Sequence, residues 1–357
     1  MDSSLNVFLN KVLITAAKRK ASTVHLTVNS YPALRVDEEL VELNEESIVT
    51  DSLVNEIAKA WLTEEQKKIL EDKKEIVVAK QMDKKFRMKV SFFFQKGFLS
   101  ANIRLIPGNI LPLINLGLPK SVYSLTDRKS GLIIVSGPYG SGRTTTVAAM
   151  LEEINQNRKE NIVTIEKPIE YIFANKKSLV EQREVGRDTN SFTDALKYVQ
   201  NADIDIISVG LTNELEAIPL VLEFASSGRL AFLTMNTNSV AQTIEEILAL
   251  FPADEQDRAR LLLAKALASI IVQRLVPRAG GGLAVATEVL IATEAVQSLI
   301  SQNRVRQIET ILQSSREEGM ISLDQSLAQL VKSGEVLIDQ AIEYANDPAG
   351  VRAMAKA

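Results

Sequence analysis

The chain has no cysteine and a single histidine, His25, in 357 residues. Without thiols there is no disulfide framework and no thiolate metal site, and one imidazole nearly excludes a zinc cluster or a Ser-His-Asp triad. Positive charge is not in excess either: 41 Lys and Arg against 45 Asp and Glu leave a net charge of −4. That balance offers no electrostatic footprint for nucleic acid. With ten prolines and 46% hydrophobic residues, large-scale disorder is not expected. A membrane-spanning run is also missing. A span needs about 20 apolar residues, whereas the most apolar stretch, Leu261 to Val276, is interrupted by Lys265 and Arg274 and reads as a buried helix. The polar start, Met1-Asp2-Ser3-Ser4-Leu5, has no signal-peptide core. The expectation is a cytoplasmic protein that meets the inner face of a membrane only through partners.

What is present suggests two domains. Leu5 to Lys18 has helical spacing, and Val24–Val28 and Tyr31–Asp37 read as strands around a turn. Helices follow over Thr50–Leu62 and from Thr63, an N-cap with Gln66 three residues on. Strands at Glu75–Lys80, Phe86–Gln95 and Phe98–Ile106 complete an α+β domain over residues 1–106. Pro107-Gly108-Asn109, Pro112 and Gly117-Leu118-Pro119 mark a connector over 107–120. From Ser121 short apolar runs alternate with helical segments: Gly131–Ser136, Ile162–Glu166, Ile204–Gly210 and Leu230–Asn236. Such alternation predicts a parallel sheet covered on both faces. After Pro252 the chain reads as mostly helical.

The first of those runs leads into Gly137-Pro138-Tyr139-Gly140-Ser141-Gly142-Arg143-Thr144, followed by Thr145. Its pattern is that of a phosphate-binding loop with the usual lysine replaced by Arg143. A strand ending at Ser136 and a helix opening near Thr144 supply the context the motif requires. The glycines let backbone N–H groups turn toward a phosphate, and the helix N-terminus adds partial positive charge. Thr144 has a hydroxyl suited to magnesium; capping of the helix by Thr144 and Thr145 is the competing reading.

Further segments accompany the loop in order: Glu166-Lys167-Pro168-Ile169-Glu170-Tyr171, Gln182–Thr189, Asp203–Gly210 and Gly228–Asn238. They resemble the acidic boxes, Walker B region and histidine box of the type II/type IV secretion ATPases. Ala295-Val296-Gln297-Ser298-Leu299-Ile300, Arg316–Met320 and Leu323–Leu327 are similar to C-terminal elements of that family's PilT-like pilus-retraction branch, and Val24-His25-Leu26 and Ile103–Pro107 to its N-terminal domain. The resemblance implies a PAS-like N-terminal domain, then a RecA-like P-loop NTPase domain over 121–357 with a helical C-terminal part. It further implies ATP and Mg2+ as cofactors, a homo- or hetero-hexameric ring formed with pilus ATPase paralogues, and docking on an inner-membrane pilus platform protein. Arg104 is implied to face the nucleotide from the N-terminal domain, with Lys89 where another arginine stands in the family.

The departures from the family pattern fall on the chemistry. Arg143 keeps the charge of the family's lysine but presents a planar fork in place of a compact ammonium. Lys167 reverses the charge of an Asp beside Glu166. Leu211 occupies the position of the catalytic Glu and cannot orient a water. Arg229 and Asn236 replace the two histidines of the histidine box. Glu214, three residues past Leu211, is either a substitute carboxylate or a solvated helix residue. Asp203 and Asp205 stand either near a magnesium or in a turn, Arg229 is a finger or a surface residue, and His25 reads as structural. Whether the chain is an enzyme is thus left open between three readings: a catalytically degenerate ATP-binding or regulatory ring subunit, an active retraction ATPase, and a nucleotide-independent adaptor.

Overall fold

The computed structural model describes residues 3–37, 39–81 and 86–356. Met1 and Asp2 of the polar start lie outside the described residues. Two compact units are present: the chain up to Asn109 together with Glu170–Ile172, and the remainder.

The first unit runs α1 (Ser3–Lys18), β1 (Thr23–Leu26), β2 (Ala33–Val36), β3 (Glu39–Glu42), α2 (Asp51–Trp61), α3 (Glu64–Lys73), β4 (Glu75–Gln81), β5 (Phe86–Gln95) and β6 (Phe98–Pro107). Its sheet has the order β3-β2-β1-β6-β5-β4, antiparallel throughout. Alternation along β5 buries Met88, Val90 and Phe92 against Leu26, Ile57 and Ile103. Lys96 and Gly97 join β5 to β6 with φ of 50° and 83°, the positive pair that a tight two-residue hairpin needs. The expected cap at Thr63 is a full capping box with Gln66. The short strand β3, with Leu40 exposed, had no sequence signal beyond its pairing with β2.

The second unit begins at Ile110. Leu113 and Leu118 of the proline-marked connector are buried in its core. There follow α4 (Lys120–Ser124), β7 (Gly131–Ser136), α5 (Arg143–Asn157), β8 (Asn161–Glu166), β9 (Leu179–Glu184), α6 (Phe192–Gln200), β10 (Ile206–Val209), α7 (Ala217–Ser226), β11 (Leu230–Thr234), α8 (Val240–Ala249) and α9 (Gln256–Ala266). Next come β12 (Leu267–Pro277), β13 (Leu283–Ile291), α10 (Glu294–Ser301), α11 (Ile308–Ser314), α12 (Leu323–Lys332), α13 (Ile338–Glu343) and α14 (Pro348–Lys356). The seven strands order as β13-β12-β7-β11-β10-β8-β9, parallel except for β13. Leu132 and Ile134 of β7 join one hydrophobic cluster while Ile133 and Val135 join another. A strand that feeds two cores is covered on both faces, which is why it reads as an unbroken apolar run.

One expectation is overturned. Leu261–Val276 is not a single buried helix: α9 ends at Ala266 and the chain continues as β12, with β13 returning beside it. The C-terminal part is therefore not uniformly helical. Ile270, Ile271 and Val272 are β-branched and buried next to β7, and a strand covered on both faces shows no period-2 pattern to separate it from a buried helix. Leu261, on the helical side, is 63% exposed.

Candidate functional site

β7 ends at Ser136 and α5 opens at Arg143, so the glycine-rich segment fills the gap between them. Gly137, Gly140 and Gly142 have φ of 144°, 83° and 87°, which side chains with a Cβ rarely adopt. At Gly137 the restriction is also steric: a Cβ there would lie 2.2 Å from the Gln273 carbonyl oxygen. Gly142 takes the N-cap position without a side-chain cap. Thr144 and Thr145 therefore sit in the first turn of α5, and the capping reading for them is corrected. Pro138 and Ser141 close a turn, the Ser141 N–H donating to the Pro138 carbonyl at 3.2 Å. Tyr139, at the tip, is 84% exposed. Arg143 donates through Nη1 to the carbonyl of Met235, just beyond β11.

Register puts Leu211, Glu166 and Lys167 along the same sheet edge. β7 pairs with β11, β11 with β10, and β10 with β8, their C-terminal ends level. At about 4.8 Å per strand step, the strand leading to Gly210 and Leu211 lies about 10 Å from β7, and Glu166 at the end of β8 one step further. Leu211 is exposed. Glu166 accepts from the Thr164 hydroxyl at 2.7 Å and from Gln182 Nε2 at 3.4 Å. Lys167 beside it is exposed.

Glu214 is neither in a helix nor fully solvated, which corrects the solvated-helix reading. Its Oε1 accepts from the Phe192 N–H at 3.0 Å, and its Oε2 from the Thr193 N–H and hydroxyl at 2.8 Å each. It satisfies first-turn N–H groups of α6 that would otherwise lack acceptors. Burial pushes its carboxyl up, but the Thr193 and Phe192 donors and the charge of Lys167 outweigh this and hold it below the usual range. A carboxylate held that way is a weak base.

Several candidates lie away from this edge. Asp205 precedes β10 and accepts from the Asn161 N–H at 2.8 Å, while the Asp203 carbonyl takes Asn161 Nδ2. Both belong to turns at the opposite end of the strands. Arg229 precedes β11 at that same far end, stacks 3.7 Å over the Phe224 ring and donates to the Val199 and Gln200 carbonyls. Burial lowers its guanidinium below the usual value. In the first unit, His25 Nδ1 meets Asn102 Oδ1 at 2.8 Å. There Arg104 stands opposite Lys89 across β5 and β6, and Lys89 donates to Glu170 at 2.9 Å. In α10, Val296 and Ile300 are buried.

Two contributors had no signal in the sequence. Gln273 of β12, 1% exposed, donates through Nε2 to the Ser141 carbonyl at 2.6 Å. Thr237 links Ser136 under the loop to Thr243 of α8 through buried hydroxyls. Neither could be found without the pairing of strands remote in sequence.

The loop fits a phosphate. Its three glycines have the required φ, a helix of fifteen residues starts at its end, and the buried Ser141 Oγ has no hydrogen-bond partner among the described residues. For magnesium the fit rests on Thr144 and the nucleotide's own oxygens. No group of three or more metal-ligating side chains gathers among the described residues. Nor is any described helix long and apolar enough to cross a membrane.

Comparison with known proteins agrees with this geometry. The family model of type II/IV secretion system proteins matches residues 1–281. The type IV pilus retraction ATPase PilT of Pseudomonas aeruginosa is 36% identical over 340 residues, 95% of this chain and 98% of that protein. A twitching motility protein of Neisseria gonorrhoeae is 34% identical over 304 residues, 85% of this chain and 81% of its own length. The crystal structure of the pilus retraction motor PilT with bound ADP superposes with a TM-score of 0.82 at 36% identity, over 96% of this chain and 97% of that one. This chain belongs to the type II/IV secretion system protein family, on its PilT-like branch of pilus-retraction and twitching-motility ATPases.

Proposed function

We propose that this chain is a nucleotide-binding ring subunit of a type IV pilus or related secretion machine that hydrolyses ATP slowly or not at all. One observation supports this above the rest: an intact glycine cradle, Gly137 to Gly142, lies on the same sheet edge as Leu211, which stands where the family places its catalytic Glu. In this reading the backbone of Gly137, Pro138, Tyr139, Gly140, Ser141 and Gly142 binds the phosphates, and the α5 N-terminus favours their charge. Arg143 directs its guanidinium charge at a phosphate oxygen. Thr144 holds Mg2+ through its hydroxyl, with Thr145 beside it, and Arg104 is the N-terminal-domain arginine that the family resemblance assigns to the nucleotide. Bound magnesium supplies charge neutralisation at the phosphates. Glu166 remains at the end of β8 to place a water, but no carboxylate at position 211 orients it.

The subunit acts through assembly, as a hexamer of its own copies or mixed with pilus ATPase paralogues, on the inner face of the cytoplasmic membrane against a pilus platform protein. An active retraction ATPase with Glu214 as base is the second reading, and the engagement of both Glu214 oxygens at α6 weighs against it. The test is calorimetric titration of ATP and ADP, with magnesium, into pure protein. Micromolar binding is expected. No binding at millimolar nucleotide would overturn the reading in favour of a nucleotide-independent adaptor.

A further inference from the structure

We propose that Gln273 is the positioning residue of the phosphate loop, holding it in the curvature that binds an anion; this deepens, and rests on, the nucleotide-binding reading. β12 pairs with β7 so that Val272 is level with Ser136, which brings the next residue, Gln273, beside the start of the loop. From there it meets the loop at three places. Its backbone carbonyl lies against Gly137, where a Cβ would approach to 2.2 Å. Its side-chain Nε2 donates to the Ser141 carbonyl at 2.6 Å. The same nitrogen would lie 3.1 Å from a Cβ on Gly142. Gly137 and Gly142 are thus small for two reasons, their φ angles and the closeness of this one residue.

The consequence for binding follows from the peptide unit. The Ser141 carbonyl and the Gly142 N–H belong to one planar trans peptide and point in opposite directions. Drawing the carbonyl toward β12 therefore turns the Gly142 N–H away from the strand, presenting it at the mouth of α5. A buried primary amide in an apolar strand is costly unless it is bonded. β12 is otherwise buried from Leu267 to Val272 and apolar there except for Ser269, which bonds the Leu290 carbonyl, and the bond Gln273 makes is to the loop. Gln273 Oε1 and Ser141 Oγ are both buried without hydrogen-bond partners among the described residues, which leaves polar capacity beside the cradle for a ligand or its water.

The test uses Gln273→Met, which keeps length and volume but removes the donor, and Gln273→Glu, which sets an acceptor against the carbonyl. Amide hydrogen exchange of residues 139–145 is measured without ligand, and ATP and inorganic pyrophosphate are titrated by calorimetry. Gln273→Met is expected to speed exchange in the loop and to weaken pyrophosphate binding about tenfold, the worth of one hydrogen bond, with the melting temperature close to the parent's. Gln273→Glu is expected to lose more affinity at neutral pH and to regain it in acid, where a protonated carboxyl donates to the Ser141 oxygen. That pH signature is one a purely structural role would not give, and it stands if Gln273→Met fails to fold. Unchanged loop exchange and unchanged pyrophosphate affinity in the variants, with the parent binding ATP, would overturn the positioning role and leave the nucleotide reading intact. A parent that binds neither ligand while its Gln273→Met loop exchanges faster would overturn nucleotide binding and leave the loop tether standing.

Discussion

Two neighbourhoods on one edge of the second sheet, about 10 Å apart by strand spacing, contrast sharply. At the end of β7 lies the cradle proposed for a phosphate: three positive-φ glycines, a long helix opening at Arg143, and Gln273 bonded to the Ser141 carbonyl. At the ends of β10 and β8, in the proposed reading, the groups that would act on a water are exchanged or engaged. Leu211 is aliphatic, Lys167 carries the wrong sign, and Glu214 is committed to the start of α6. On the proposed function, binding and turnover are separable on this fold. Holding a nucleotide depends on backbone geometry, which a few glycines and a well-packed strand secure. Turnover depends on side chains at strand ends, which can change without disturbing the core.

The contrast can be broken from either side. Gly137→Ala should have the largest effect, because its Cβ would meet the Gln273 carbonyl at 2.2 Å and its φ suits only glycine. A loss of about 3 kcal/mol or more in urea unfolding is expected, together with loss of ATP binding; retention of both would show that the loop is not packed as described. Next in size, Leu211→Glu combined with Lys167→Asp should raise phosphate release about 100-fold, the reverse of removing a group that stabilises the transition state. No gain would place the defect at Arg143 instead.

Smaller effects sharpen the assignment of carboxylates. Glu214→Ala should cost about 1 kcal/mol through the loss of helix-terminal acceptors, with no change in hydrolysis; a fall in hydrolysis would restore Glu214 as the base. The folded carboxyl of Glu214 titrates below its unfolded value. Its stabilisation is therefore present above the unfolded pKa and disappears as pH falls through the folded one. The difference between parent and variant should close in acid.

Glu288 has the opposite sign. Burial raises its carboxyl, with Glu309 and Asp324 adding to the effect, while the Val240 N–H and Arg274 oppose it. Its folded form holds the proton more tightly than the unfolded chain, so its contribution is greatest below the unfolded pKa and declines as pH rises through the folded one. Glu288→Gln keeps an acceptor for Val240 and should flatten that decline in unfolding curves measured from acid to neutral pH. An unchanged slope would mean that Glu288 does not titrate as its burial requires.

Much of this was legible in the sequence wherever the signal is local. The strand expected at Phe86–Gln95 is β5, Thr63 and Gln66 announce their capping box, and glycine spacing marks the gap between β7 and α5. The apolar run of β12 reads as helix because a strand covered on both faces has no period to display. Neither reading of Glu214, substitute carboxylate or solvated helix residue, reaches its acceptor role, because nothing local shows that it lies twenty-odd residues back, at Phe192 and Thr193. Gln273 and the Met235 carbonyl were out of reach for the same reason. Each meets the loop only through sheet pairing between segments far apart in the chain.

The most direct measurement is single-turnover hydrolysis, with protein in excess over labelled ATP and magnesium at concentrations where calorimetry shows the nucleotide bound. Ordinary enzymes turn over at about 10 s⁻¹, and loss of a stabilising group costs about two to three orders of magnitude. Bound ATP should therefore convert to ADP no faster than about 0.1 s⁻¹, and Arg143→Ala should release it intact. Conversion within a second by the unmodified protein would contradict the separation of binding from turnover and make this chain a working motor.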